Sequence, residues 1–147
     1  MDKREFAVKL AWEFLGRPYR WGGDDPMAGF DCSGFMLEIL QSVGLVPHGH
    51  DTTAHGLYAM YANKAVDLPA RGCLVFWERS GKMVHVEMCL NEDLSIGASD
   101  GCSATEDEAA AVLHNAYIKI RPFLPRKGQA RLYYVDPFGN PTITVDV

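Results

Sequence analysis

The stretch that decides the fold is DCSGFMLEILQSVG, residues 31–44. Its apolar residues recur at spacings of three and four, which is the pattern of one buried helical face. Asp31 is a good N-cap and Gly44 is a good C-terminal stop, so the predicted helix runs from about Cys32 to Val43. In its first turn, unpaired backbone N–H groups and the positive end of the helix dipole favour a thiolate. Cys32 is therefore a candidate nucleophile, although a buried structural cysteine has the same pattern.

Length and composition predict a single domain over residues 1–147, with residues 136–147 as a turn and edge extension. The chain is 48% hydrophobic and 22% charged, which is ordinary for a globular protein with a full core. The net charge of −5 argues against nucleic acid as a partner. No apolar run approaches the roughly 20 residues that span a bilayer, so we expect no membrane insertion.

The first residues mix acids and bases and lead into no apolar segment, so we expect no signal peptide and synthesis in the cytoplasm. The four cysteines form no C-x-x-C pair, which argues against a structural zinc site and favours free thiols. His48, His50 and His55 cluster with Asp51, but their spacing fits no familiar ligand pattern, so we interpret them as loop residues. We therefore expect no metal and no cofactor.

The remaining periodicity predicts an α+β fold, in which N-terminal helices pack on a mainly antiparallel sheet. Two helices flank the central one, and short strands follow, interrupted by a fourth helix. The predicted helices are 3–15, a third helix capped by Asp51 or Thr52 and ending near residue 63, and 105–114. The predicted strands are 73–77, 83–90, 94–99, 116–121, 131–135 and an edge strand 142–147.

The clearest strand carries the best candidate for a catalytic base. Alternation places Val84, Val86, Met88 and Leu90 on one face, and the face that carries His85 on the other. Ser80-Gly81 makes the hairpin turn before it, so the strand would aim the imidazole precisely. A cysteine peptidase needs a thiolate, an imidazole within hydrogen-bond reach and a group that orients the imidazole. On the residues alone, His85 is either such a base or a structural histidine.

Five segments, in this order, resemble the NlpC-type papain-like cysteine peptidases, which are cell-wall endopeptidases of bacteria and phages. Together they span most of the chain, from about residue 5 to residue 121. A single D-C-S-G is a weak signal, whereas five segments in order with fitting gaps are a strong one. The segments are 17–23 (RPYRWGG), 31–35 (DCSGF), 71–77 (RGCLVFW), 84–86 (VHV) and 96–99 (IGAS).

The resemblance implies a papain-like core with Cys32 as nucleophile and His85 as general base. Tyr19 matches the family's tyrosine beside the cysteine and would help to hold the oxyanion or position the site. The implied reaction is acyl transfer to the cysteine followed by hydrolysis, on a stem peptide of peptidoglycan. The residues expected to bind that peptide are Asp31, Ser33 and Trp21.

One departure from the family concerns the third catalytic residue. It usually lies twelve residues after the base, and that position holds Gly97, which has no side chain to orient an imidazole. Glu87, which shares the face of His85, Asp100 or a backbone carbonyl would then take over. The departure motivates one alternative, an inactive family member that acts as a phage structural or wall-binding component. A second alternative keeps the chemistry on a different substrate, as a Cys-dependent amidase or acyltransferase.

The compact domain also resembles phage members of the family. We therefore expect a phage-encoded enzyme that reaches the cell wall after lysis or as a virion component. A homo-oligomer or a virion protein is the expected partner besides the stem peptide.

Overall fold

The computed structural model describes residues 2–17, 31–99, 117–124 and 131–139. In these ranges three α-helices precede the main strands of a sheet. No described helix is long and apolar enough to cross a membrane. The helices are α1 (Lys3–Glu13), α2 (Cys32–Ser42) and α3 (Ala54–Tyr61), and a 3₁₀ turn, Ala62–Lys64, follows α3.

The described residues contain six strands, which form one sheet in the order β1-β6-β2-β3-β4-β5, and each neighbouring pair is antiparallel. Helix α2 packs on β3 and β4, and α3 packs on β3. The predicted α+β fold is therefore confirmed. The strands are β1 (Ala65–Val66), β2 (Leu74–Arg79), β3 (Lys82–Cys89), β4 (Leu94–Ser99), β5 (Tyr117–Pro122) and β6 (Arg131–Val135).

Short polar side chains set where the helices begin. The Asp31 carboxylate accepts a hydrogen bond from the backbone N–H of Gly34, which fixes the first turn of α2 as predicted. The cap of α3 is Thr53, whose hydroxyl accepts from the Gly56 N–H. The predicted cap, Asp51 or Thr52, was wrong because several adjacent residues of this stretch are all good caps, and the sequence does not rank them.

The core lies mainly between the helices and one face of the sheet. There α2 contributes Phe35, Met36, Ile39 and Leu40, which are all fully buried, as the helical periodicity predicts. A smaller cluster, which includes Val75, lies on the opposite face of the sheet. Along β2 its residues alternate with residues of the main core, and successive side chains of a strand point to opposite faces. Its members are Cys73, Val75, Trp77, Cys89 and Phe123.

A β-bulge changes the predicted alternation at the start of β3. Trp77 pairs with His85, and Glu78 pairs with Met83, so Val84 has no partner residue on β2. Val84 is consequently 48% exposed, and Met83 takes its place in the core. The prediction that Val84 shares the buried face was wrong because the bulge inserts an extra residue there.

Strand β1 was missed in the sequence, since a strand of two residues has no periodicity to detect. It joins the sheet by pairing Ala65 with Val135 of β6. The predicted helix 105–114 and edge strand 142–147 lie outside the described residues. Most of the predicted extension 136–147 lies outside them as well.

Candidate active site

Cys32 is the first residue of α2 and is partly exposed. On one side of it, the Asp31 carboxylate caps the helix, and the Ser33 hydroxyl lies 3.4 Å from Asp31 Oδ1 and donates to it. The thiol is therefore fixed by a rigid, locally bonded turn. Asp31 and Ser33 flank the cysteine, and their predicted contacts with a substrate stay predictions.

His85 lies within β3, and its side chain is 24% exposed. The Trp77 side chain is opposite it on β2, with ring centroids 5.0 Å apart and the planes tilted by 59°. This aromatic contact supports the imidazole from one strand while leaving part of the ring accessible to solvent.

Glu87 provides the polar partner of that imidazole. Its Oε2 lies 2.6 Å from His85 Nε2, and its side chain is only 1% exposed. The other oxygen, Oε1, accepts a hydrogen bond of 2.7 Å from the Ser95 hydroxyl. Arg121 Nη2 lies 3.9 Å from Oε2. A buried carboxylate needs such partners, because an unpaired charge in the interior is very costly.

The charge state of His85 follows from these neighbours. Burial is the largest single influence and lowers its pKa. The charge of Cys32 and a hydrogen bond with its thiol, followed by the hydrogen bond and charge of Glu87, outweigh burial and raise the pKa to about 10. Since Glu87 holds Nε2, Nδ1 is the ring nitrogen left for Cys32. The arrangement favours the imidazolium form of His85 near neutral pH.

Gly97 lies on β4 beside this network. Met88 pairs with Ile96, and continuing that register places Glu87 opposite Gly97. A Cβ atom built on Gly97 would collide with Glu87 Cγ and would lie 2.8 Å from Cδ. Gly97, where the resemblance predicts the third catalytic residue, therefore has the Glu87 side chain packed directly against its Cα.

Two of the other cysteines offer no competing nucleophile. Cys73 and Cys89 are free and buried. Burial raises the pKa of both thiols. Both are therefore neutral at ordinary pH, and neutral thiols are poor nucleophiles.

The loop histidines do not form a metal site within the described ranges, where no group of three His, Cys, Asp or Glu side chains is arranged to hold a metal ion. His55 instead has a structural contact, because its Nδ1 accepts from the backbone N–H of Met83 at 3.1 Å. Three predicted site residues, Tyr19, Trp21 and Asp100, lie outside the described residues.

Sequence reasoning missed Ser95 and Arg121. The alternation along β4 places Ser95 on the same face as Gly97, and that signal was available. Arg121 can be identified only from the alignment of β5 with β4, in which it pairs with Ser95. The local sequence pattern of a strand does not contain that alignment.

Comparison with known proteins identifies relatives of most of this domain. Residues 16–122 match the model of the NlpC/P60 family. The bifunctional muramidase/DL-endopeptidase CwlT of Bacillus subtilis is 34% identical over 77 residues, which are 52% of this chain and 22% of CwlT. The murein DD-endopeptidase MepH of Escherichia coli is 34% identical over 78 residues, 52% of this chain and 28% of MepH. The matched part is thus less than a third of either relative.

Solved structures share the fold. The NlpC/p60 domain of the peptidoglycan hydrolase SagA superposes with a TM-score of 0.62 at 24% identity, covering 88% of this chain and 94% of that one. The peptidoglycan hydrolase RipB of Mycobacterium tuberculosis gives a TM-score of 0.65 at 22% identity, covering 94% and 66%. These likenesses confirm the predicted fold.

Proposed function

The chain belongs to the NlpC/P60 family, and on that premise we propose that it is a cysteine endopeptidase that hydrolyses peptide bonds in the stem peptides of peptidoglycan. The observation that carries the proposal is the pairing of Cys32, at the start of α2, with His85 on β3. The Nε2 atom of that imidazole is held by Glu87. The names of CwlT and MepH, a DL-endopeptidase and a murein DD-endopeptidase, support the substrate class.

The proposed reaction has two steps. The Cys32 thiolate attacks the carbonyl carbon of the scissile bond, and the backbone N–H of Cys32 stabilises the oxyanion, with Tyr19 as the proposed second donor. The protonated His85 gives its proton to the leaving amine, which departs and leaves a thioester on Cys32. His85 then removes a proton from water, the hydroxide attacks the thioester, and the thiolate leaves as the acid is released.

Binding of the stem peptide is proposed for Asp31, Ser33 and Trp21. Asp31 and Ser33 flank the nucleophile in the first turn of α2. An anionic carboxylate beside the reacting thiol suits the ammonium group of a free amino end, which is the contact that the family resemblance implies.

The alternative of an inactive family member was motivated by Gly97. The 2.6 Å contact between His85 and Glu87 argues against it, since the imidazole has a buried carboxylate partner despite the glycine.

The phage origin, and action after lysis or as a virion component, stay predictions. Mass spectrometry of purified virions would check them.

The test is release of peptides from purified peptidoglycan, with the products identified by mass spectrometry. We expect the wild-type chain to release peptides and Cys32→Ala to release none. Cys73→Ala, which removes a buried neutral thiol, is the matched control and should keep activity. Equal activity in Cys32→Ala would remove this cysteine from the mechanism.

The same assay separates the amidase alternative. A panel of soluble stem peptides and lipid amides, each incubated with the wild-type chain and with Cys32→Ala, identifies the cleaved bond. Cys32-dependent cleavage of the lipid amides alone would refute the peptidoglycan substrate while retaining the chemistry.

A further inference from the structure

We propose that Glu87 is the positioning residue of His85, and that residue 97 is glycine because the missing side chain leaves the space that Glu87 needs. The inference rests on the proposed Cys32–His85 chemistry. It places the orienting group on the same strand as the base, whereas the family pattern puts it on the following strand, at the position of Gly97.

The geometry of β3 makes the contact possible. Residues two apart on a strand lie on the same face, roughly 6–7 Å apart. Glu87 spans that distance because its carboxylate turns back along the strand to His85 Nε2, at 2.6 Å. A short contact of this kind is typical of a charge-assisted hydrogen bond. A carboxylate that accepts a hydrogen bond from Nε2–H keeps Nδ1 directed to the thiol.

The space for that carboxylate comes from β4. Gly97 is opposite Glu87, and a Cβ atom there would lie 2.8 Å from Cδ and 2.9 Å from Cβ of the glutamate. Real Cβ atoms do not approach other carbons so closely, so a side chain at 97 and the present position of Glu87 exclude each other. Glu87 reaches His85 in this protein, the family pattern places its orienting side chain at position 97, and the two side chains cannot be accommodated together.

Two further side chains hold Glu87 in this position. The Ser95 hydroxyl donates to Oε1, and the Arg121 guanidinium lies 3.9 Å from Oε2. The nearby positive charge favours the ionised carboxylate, and the hydroxyl fixes its orientation. Supporting contacts of this kind set the tautomer and angle of a functional imidazole. In the described part of the chain, the ionisable groups that raise the pKa of His85 are thus Cys32 from α2 and Glu87 from β3, while Arg121 from β5 lies beside Glu87.

The experiment must separate positioning from a structural role of a buried pair. It compares Glu87→Gln, Glu87→Gly, Gly97→Ala and the double variant Glu87→Gly/Gly97→Asn, in which residue 87 has no Cβ atom to collide with the new side chain. Glu78→Gln is the matched control, because it neutralises a carboxylate on the neighbouring strand that accepts from the Gly81 N–H in the hairpin turn. Each variant is first checked for folding by thermal denaturation. Then kcat and KM are measured on a stem peptide.

We expect kcat of Glu87→Gln to fall by about 10²-fold or more, with little change in KM, since loss of an orienting carboxylate lowers kcat by up to about 10⁴-fold in other triads. Gly97→Ala should lose a similar factor, because its methyl group displaces the glutamate although it removes no functional group. The asparagine of Glu87→Gly/Gly97→Asn should recover about tenfold in kcat relative to Glu87→Gly, since it supplies an acceptor from β4. Glu78→Gln should match the wild type.

A second readout needs no substrate. The titration of the His85 ring is followed by NMR in Cys32→Ala and in Cys32→Ala/Glu87→Gln. We expect the transition to move to lower pH by about one unit or more when the carboxylate is neutralised. A merely structural pair would lower the melting temperature without changing kcat.

The outcomes distinguish the two proposals. Cleavage of peptidoglycan by Cys32→Ala would refute the proposed function. If Cys32→Ala is inactive but Glu87→Gln keeps full kcat, or if the His85 titration does not move, the positioning role is refuted alone. A fully active Gly97→Ala, or a double variant no better than Glu87→Gly, would refute the exclusion between positions 87 and 97.

Discussion

The two halves of the candidate site are held in different ways. Cys32 is positioned by residues 31–34, within one turn of helix, through the Asp31 cap and the Ser33 hydroxyl. His85 is positioned by Trp77 on β2, Glu87 on β3 and, through Glu87, by residues on β4 and β5. The thiol therefore depends on local structure and the imidazole on the assembled sheet. Substitutions around Cys32 should therefore mainly change the stability of α2, and substitutions around His85 should mainly change kcat.

The largest expected effect concerns the charge of His85. Its pKa is raised from 6.5 to about 10, so the stabilisation of the imidazolium is complete below the ordinary value and is lost as pH rises through about 10. We expect kcat/KM to persist into alkaline solution and to fall about tenfold per pH unit above that value. A pH profile of the wild-type chain checks this.

The control for the pH profile is Glu87→Gln, in which the alkaline decline should begin at lower pH. A wild-type decline centred near 6.5 would mean that the imidazole does not share a charged network with Cys32 and Glu87.

A smaller effect is expected from Ser95→Ala. The variant removes the hydroxyl that donates to Glu87 Oε1, so the carboxylate loses its fixed orientation while keeping its contact with His85. We expect kcat to fall about tenfold and stability to fall by about 1–3 kcal/mol, the cost of losing a hydrogen bond to a charged group. Enzyme kinetics and denaturant unfolding measure the two.

Ser42→Ala is the matched control for this variant, since the Ser42 hydroxyl donates to a backbone carbonyl within α2, away from the site. Equal kinetics in the two serine variants would place Ser95 outside the positioning of His85.

The smallest effect is expected at the local half. Asp31→Ala removes the cap of α2 and should cost about 1 kcal/mol of stability, whereas Asp31→Asn keeps a capping side chain and should cost much less. Thermal melting compares the two variants. Equal losses would show that the charge of Asp31, and not the cap, holds the first turn.

The same division explains what the sequence could and could not predict. The start of α2 was predicted to the residue, because cap and periodicity are local signals. Strands β4 and β6 were also predicted with the correct bounds. The choice between Glu87 and Asp100 as orienting group was left open, because it depends on how β3 and β4 align. Glu87 is the one that the structure places at His85, while Asp100 lies outside the described residues.

The bulge at Val84 and the role of Arg121 were not predictable either. Both depend on which residues of neighbouring strands are paired. The sequence of one strand does not specify how it aligns with the next strand. The packing of Gly97 depends on strand alignment in the same way. In the sequence it was only a missing catalytic side chain, and its contact with Glu87 appears once the strands are aligned.

The close approach of Glu87 to Gly97 also restricts the order in which the two positions can change during evolution. A lineage with a bulky side chain at 97 cannot first acquire glutamate at 87 in the orientation seen in this protein, because the two would overlap. The side chain at 97 must shrink before or together with the arrival of the acid. Related sequences should therefore pair glutamate at 87 with glycine at 97, and an ancestor with glycine at 97 but no acid at 87 would be the weakly active intermediate.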